Sequence, residues 1–286
     1  MIIRKLLTGA VLLCLANVVY AEDCQQHFLG GTEPLLINQK LTNRGHEICY
    51  EAYALFTSGM SRTAIWSAEH LTRDNLELAA QIKRINPFHA EESVPAEDRA
   101  ELSDYKSSGY DRGHMAPNGD MPTKTAQHES FSLANMIPQW PSQNQGIWSE
   151  VESAVREYTK EQGELFVVTG PAFIYSQNDA SYISNGRVLV PSHTWKAIYN
   201  PKTGESGAYF VVNNETSDYE TLSMAELQKR VGIDVFPKLP SQYKVTAMTL
   251  PTPTKGRGYT SGYHHPSYGA AHFAGKMLYH SFKHAR

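Results

Sequence analysis

Residues 144 to 162 carry the clearest helical period in the chain, and that period narrows what the whole can fold into. Ile147, Val151, Val155 and Tyr158 recur three or four residues apart and Gly163 supplies a stop, so one stripe of this helix must be buried against another element. Beside it runs a second row, Asn144, Trp148, Glu152 and Arg156, which a regular helix stacks along one face. Most other apolar residues fall in short runs between turn residues: 48 to 57, 63 to 71, 165 to 169 ended by Gly170-Pro171, 187 to 190, 194 to 199 and 208 to 213. These read as strands. Ser223-Met224-Ala225-Glu226 has the spacing of a capping box and predicts a second helix to about Val231. With no internal repeat and no dividing linker, the pattern predicts one α+β domain over residues 22–286.

The first 21 residues stand apart. Arg4 and Lys5 precede an apolar run from Leu6 to Val19, and Val19-Tyr20-Ala21 offers a cleavage site, so residues 1–21 read as a secretory signal peptide rather than a bilayer span. The expectation is export, to the periplasm or the medium, with no membrane partner for the mature form. Without Arg4 and Lys5, 24 of the 26 Lys and Arg remain against 29 Asp and Glu, a net charge of −5. A nucleic acid would then be held by a local basic patch, because whole-molecule attraction is absent. Cys24 and Cys49 are an even pair in an exported chain. They predict one disulfide tying an N-terminal arm to the first strand, stabilising by about 3 kcal/mol. Residues 73 to 108, charged and interrupted by Pro87 and Pro95, read as a long surface connection with at most short helical turns.

That connection leads into Gly109-Tyr110-Asp111-Arg112-Gly113-His114, a carboxylate, a guanidinium and an imidazole within four residues. Imidazole titrates near neutral pH, so His114 suits the task of taking a proton from water, with Asp111 or a nearby carbonyl aiming the ring. A single histidine serves equally well as a structural residue or a zinc ligand, though His89 and His128 are too isolated to complete a zinc site. Asn144 and Glu152 offer oxygen to a hard, hydrated cation such as magnesium, against their commoner uses as a helix cap and a solvated carboxylate. Arg112 and Arg62 carry the planar fork that matches two phosphate oxygens, with surface ion pairs as the ordinary alternative. Lys106, Lys124, Lys196 and Arg257 are candidates for a basic track along a strand of nucleic acid. The spacings of His264, His265, His272, His280 and His284 fit no metal site.

Five stretches in order, Tyr53 to Leu71, Asp104 to Pro117, Phe131 to Gln139, Asn144 to Glu152 and Val167 to Phe173, resemble the DNA/RNA non-specific endonuclease family of ββα-metal nucleases. The resemblance runs from about residue 45 to 250. It implies a central antiparallel β-sheet with flanking helices and a ββα-metal finger, His114 on its β side and Asn144 on its helix. It implies magnesium, with manganese able to serve, held directly by Asn144 while Glu152 holds metal-bound water and His114 acts as general base. Asn135 would support the histidine and the scissile phosphate, Arg112 would contact phosphate or the leaving group, and the family's upstream arginine falls on Arg62. The implied substrates are DNA and RNA, cut internally to leave 5′-phosphate ends. Two other functions fit the same residues: a metal-dependent phosphodiesterase acting on small nucleotides, and a catalytically inactive nucleic-acid-binding relative.

Overall fold

The structure, a computed structural model, describes residues 24–176, 179–216 and 218–254. The expected leader, Arg257 and the C-terminal histidines named above lie outside those residues. Among the described residues no helix is long and apolar enough to cross a membrane.

The functional elements, in chain order, are the strands β1 (Gly45–Cys49), β2 (Ala54–Ser58), β3 (Thr63–Thr72), β4 (Asp111–His114), β5 (Met136–Gln139), β6 (Glu164–Ala172), β7 (His193–Asn200), β8 (Glu205–Val212) and β9 (Tyr219–Leu222). With them go the helices α1 (Arg73–Ala79), α2 (Ser149–Gln162) and α3 (Met224–Val231). Seven of the strands form one antiparallel sheet in the order β9-β8-β7-β6-β3-β2-β1. Among the described residues β4 and β5 pair only with each other, as a separate antiparallel strand pair linked by residues 115–135.

Side chains alternate across a strand, and in the middle of this sheet both faces are buried. Trp66, Ala68, Val168, Trp195, Ala197 and Phe210 fill one face with α3 and the N-terminal arm. Val167, Ile198, Tyr209 and Val211 on the other meet Val151, Val155 and Tyr158 of α2, the stripe read from the sequence. The same second face carries a buried polar row, Ser67, Glu69, Thr169 and Lys196, and the β4–β5 pair is docked over that side through Ile137, Met115 and Ala64.

The arm packs Phe28 and Leu36 into the first face and is tied to β1 by the Cys24–Cys49 disulfide, with Cα atoms 5.7 Å apart. The capping box is present as predicted, with Ser223 and Glu226 each meeting the other's backbone, and Gly232 ends α3 at a left-handed φ of 71°. Three expectations change. The run 48 to 57 is two strands, because Tyr50 N–H donates to Tyr53 O across a tight turn that contains neither Gly nor Pro. β6 continues through Gly170-Pro171, since Gly170 lies against the Trp195 ring where any Cβ would clash, and the Trp195 indole donates to Pro171 O at 2.9 Å. The helix is regular only from Ser149. A π-helical turn, Asn144–Trp148, precedes it, with Gly146 at φ −104° and ψ −112°.

Candidate active site

β4 pairs with β5 so that His114 faces Met136 and Asp111 faces Gln139. A helical turn, Pro141–Gln143, then leads directly into the π-helical turn and α2, which makes the strand–strand–helix finger that the resemblance implies. One contact closes it. The Asn144 amide nitrogen donates to Asp111 Oδ2 at 2.9 Å, and Gln145 Nε2 donates to the same oxygen at 2.8 Å. Asp111 therefore orients the amide of Asn144 and does not aim the His114 ring. π-Helical turns widen a helix locally, and here Gly146 departs from helical angles between Asn144 and the regular helix. Asn144, Trp148 and Glu152 are thus not a simple four-residue row.

Arg112 and His114 are two apart on a strand and share its face. Around His114 the structure builds a cage of two phenylalanines. Phe131 meets the imidazole edge-on with centroids 4.9 Å apart, Phe88 lies at 5.8 Å, and the two phenyl rings are perpendicular at 4.8 Å. Each phenylalanine carries an arginine on its face: Arg112 lies 4.0 Å from the Phe88 centroid and Arg84 lies 5.5 Å from that of Phe131. Burial lowers the pKa of His114 to about 3, with the Arg84 and Arg112 charges adding to the effect. Its Nε2 has no hydrogen-bond partner among the described residues. The ring is thus neutral, oriented by packing, and has a nitrogen that no other described group uses.

Of the expected site residues, Arg62 belongs elsewhere and Asn135 keeps only the supporting half of its role. Arg62 is turned away: its guanidinium donates to the main-chain carbonyls of Glu97 and Arg187. The second cation beside His114, after Arg112, is Arg84, from the connection after α1, which sequence distance from the motif concealed. Asn135 is fully buried, with Oδ1 accepting from Ser67 Oγ (2.9 Å) and Ala116 N–H (3.0 Å) and Nδ2 donating to Ala116 O (2.8 Å) and Ser130 O (2.9 Å). Those four bonds use up its amide, so Asn135 supports the strand end that bears His114 and has nothing left for a phosphate. Lys196 also leaves the expected basic track, being 1% exposed with Nζ donating to Thr169 Oγ1 at 2.6 Å.

Under the finger, burial and then the neighbouring Arg156 and Lys196 act in opposite directions on Glu152, whose carboxyl ends above its usual range. Glu69, buried and without a hydrogen-bond partner among the described residues, is held well above that range by burial and then by Asp120. Arg156 pairs with Asp120 at 2.9 Å.

Among the described residues no three His, Cys, Asp or Glu side chains gather closely enough to hold a metal ion. The donor set instead fits a hard cation that keeps most of its waters: the Asn144 amide, fixed through its nitrogen, has Oδ1 left over, and Glu152 is a half-buried carboxyl one turn into α2.

A family model described as DNA/RNA non-specific endonuclease matches residues 31–242. Nuclease C1 of Cunninghamella echinulata var. echinulata is 34% identical over 206 residues, covering 66% of this chain and 82% of that protein. The mitochondrial nuclease EXOG of Danio rerio is 32% identical over 245 residues, covering 79% of this chain and 71% of its own length. Among solved structures, a chain of the EndoG/EndoGI complex superposes with a TM-score of 0.63 at 26% identity, covering 71% of this chain and 89% of that one.

Proposed function

The chain belongs to the DNA/RNA non-specific endonuclease family, and on that footing we propose that it is an exported, metal-dependent endonuclease that hydrolyses DNA and RNA to 5′-phosphate products. The observation that carries the reading is the pair of hydrogen bonds from Asn144 and Gln145 to Asp111, three residues before His114. They hold an amide oxygen against the strand that ends in a neutral imidazole. Export is supported by the Cys24–Cys49 bridge, a cross-link that oxidising compartments sustain.

A divalent cation, magnesium or manganese, would place positive charge on the non-bridging phosphate oxygens and make a bound water more acidic. Asn144 Oδ1 would hold that ion, and the Glu152 carboxyl would hold one of its waters. His114 takes the proton from the attacking water as the new phosphorus–oxygen bond forms and the bond to the 3′ oxygen breaks, and the departing 3′ oxygen takes a proton from solvent water to become the hydroxyl. Arg84 and Arg112, stacked on the two phenylalanines that flank the imidazole, would take up phosphate charge, and an incoming anion would offset the part of the His114 depression that these cations add to burial, raising its basicity when substrate binds.

The test is plasmid DNA and a structured RNA incubated with wild type, His114→Ala and Asn144→Ala, in magnesium and in EDTA. Wild type degrades both polymers in magnesium only, and His114→Ala loses about 10²–10⁴-fold in kcat, the usual weight of a general base. Intact polymer in the wild-type magnesium reaction refutes the proposal.

A further inference from the structure

A cleft of about 360 Å³ opens between the short helix Leu102–Tyr105 and the start of β4, lined by Leu102, Tyr105, Lys106, Tyr110, Asp111 and Arg112. It adjoins the finger through Asp111 and Arg112, yet the chemistry above makes no use of the two tyrosines or the lysine. Tyr105 is 6% exposed, and its hydroxyl is buried with no hydrogen-bond partner among the described residues, a costly state unless a ligand or water meets it. Tyr110 is half-buried, with its ring set edge-on to Trp140 at 5.6 Å and 81°. Lys106 is exposed, and neither it nor Arg112 forms an ion pair among the described residues.

We propose that this cleft binds one nucleotide of the substrate strand next to the scissile phosphate, with its base against Tyr110, a base edge on the Tyr105 hydroxyl, and adjoining phosphates on Lys106 and Arg112. The proposal rests on the nuclease reading above. An aromatic ring accepts any base, and a hydroxyl both donates and accepts, so the subsite tolerates every sequence, as a non-specific enzyme requires. The volume lies near the lower end of the roughly 300–1,000 Å³ range of ligand pockets. That suits a single nucleotide, and a base whose face lies on Tyr110 has given up its neighbours in a duplex, so it must arrive unstacked. Single strands and frayed or extruded bases are the chemical class that fits, and intact duplex has to open before it can use the cleft.

The test needs no turnover. Single-stranded decanucleotides, each with 2-aminopurine at one position, are titrated into the protein in EDTA while anisotropy and base fluorescence are read. Wild type quenches 2-aminopurine at one position most strongly. Tyr110→Ala weakens binding about tenfold, within the range for one stacked base, and abolishes that quench, whereas Tyr110→Phe keeps both. Tyr105→Phe and the exposed Lys106→Ala, which leave the packing intact, each weaken binding about threefold, and Tyr243→Ala, at an exposed tyrosine outside the finger, changes nothing. Wild-type affinity and quench in Tyr110→Ala overturn the proposal. If that variant does not fold, unchanged affinity in Tyr105→Phe and Lys106→Ala does so. Plasmid cleavage by wild type in magnesium is scored separately, so a protein that binds and quenches but does not cut refutes the nuclease reading and spares the cleft.

Discussion

Asn135→Ala separates a residue that supports the site from one that works in it. The side chain is fully buried and makes four hydrogen bonds, to Ser67 Oγ, Ala116 N–H, Ala116 O and Ser130 O. Truncation leaves at least Ala116 N–H, Ala116 C=O and Ser130 C=O buried without a partner, because water does not reach them and only the Ser67 hydroxyl can rotate elsewhere. At about 1–3 kcal/mol for each such group, with the low end appropriate to carbonyls that relax, the loss is about 3–5 kcal/mol. That is a large share of the roughly 5–15 kcal/mol that holds a domain folded, and it lowers Tm by about 10 °C or more in a chain of this size. The assay is thermal and urea unfolding of the variant, with activity measured well below its Tm. An unchanged Tm together with collapsed kcat would refute the reasoning, since the amide would then be touching the reaction and not the strand end.

Other outcomes follow from the same geometry. Arg84→Ala lowers kcat/KM on plasmid DNA by at least about tenfold, as loss of a charge-assisted phosphate contact does, while Arg62→Ala stays within about threefold, and steady-state kinetics of the pair decides between them. Asp111→Ala frees the Asn144 amide and raises the magnesium concentration for half-maximal rate by about 10–100-fold, the usual weight of an orienting partner, read from a metal titration. His114 has a native pKa of about 3 against about 6.5 unfolded, so only the unfolded chain takes up its proton between those values. Its contribution is constant above about pH 6.5 and is lost as pH falls, by about 2 kcal/mol at pH 5. Urea unfolding of wild type and His114→Asn at pH 7 and pH 5 checks this, because the variant should lose less stability on acidification.

Local signals were the legible ones. The capping box at Ser223 and Glu226 needs only neighbours, and the α2 stripe only a period, so both were readable. The Asp111–His114 motif announced chemistry because its polar groups are contiguous. What stayed hidden depends on chain sections that meet only after folding. Arg84 and Phe88 come from a connection whose composition says surface, yet they flank the imidazole. Gly170-Pro171 reads as a break because nothing local reveals that Trp195 lies over the glycine. Asn135 looks like a polar site residue, and only the count of its partners shows that it is already satisfied.

The strand pair that bears His114 has strands of four residues each and is held from outside: Ile137 and Met115 meet Ala64 of the main sheet, Ser67 bonds Asn135, Asn213 just past β8 donates to Pro138 O, and Met136 packs beside Tyr105 and Val190. So small a motif cannot hold its own shape, and its exactness is borrowed from the platform below. Excised or transplanted as a minimal catalyst it would collapse, and a designer who wants this chemistry on another scaffold has to carry the supporting β3 surface along with it.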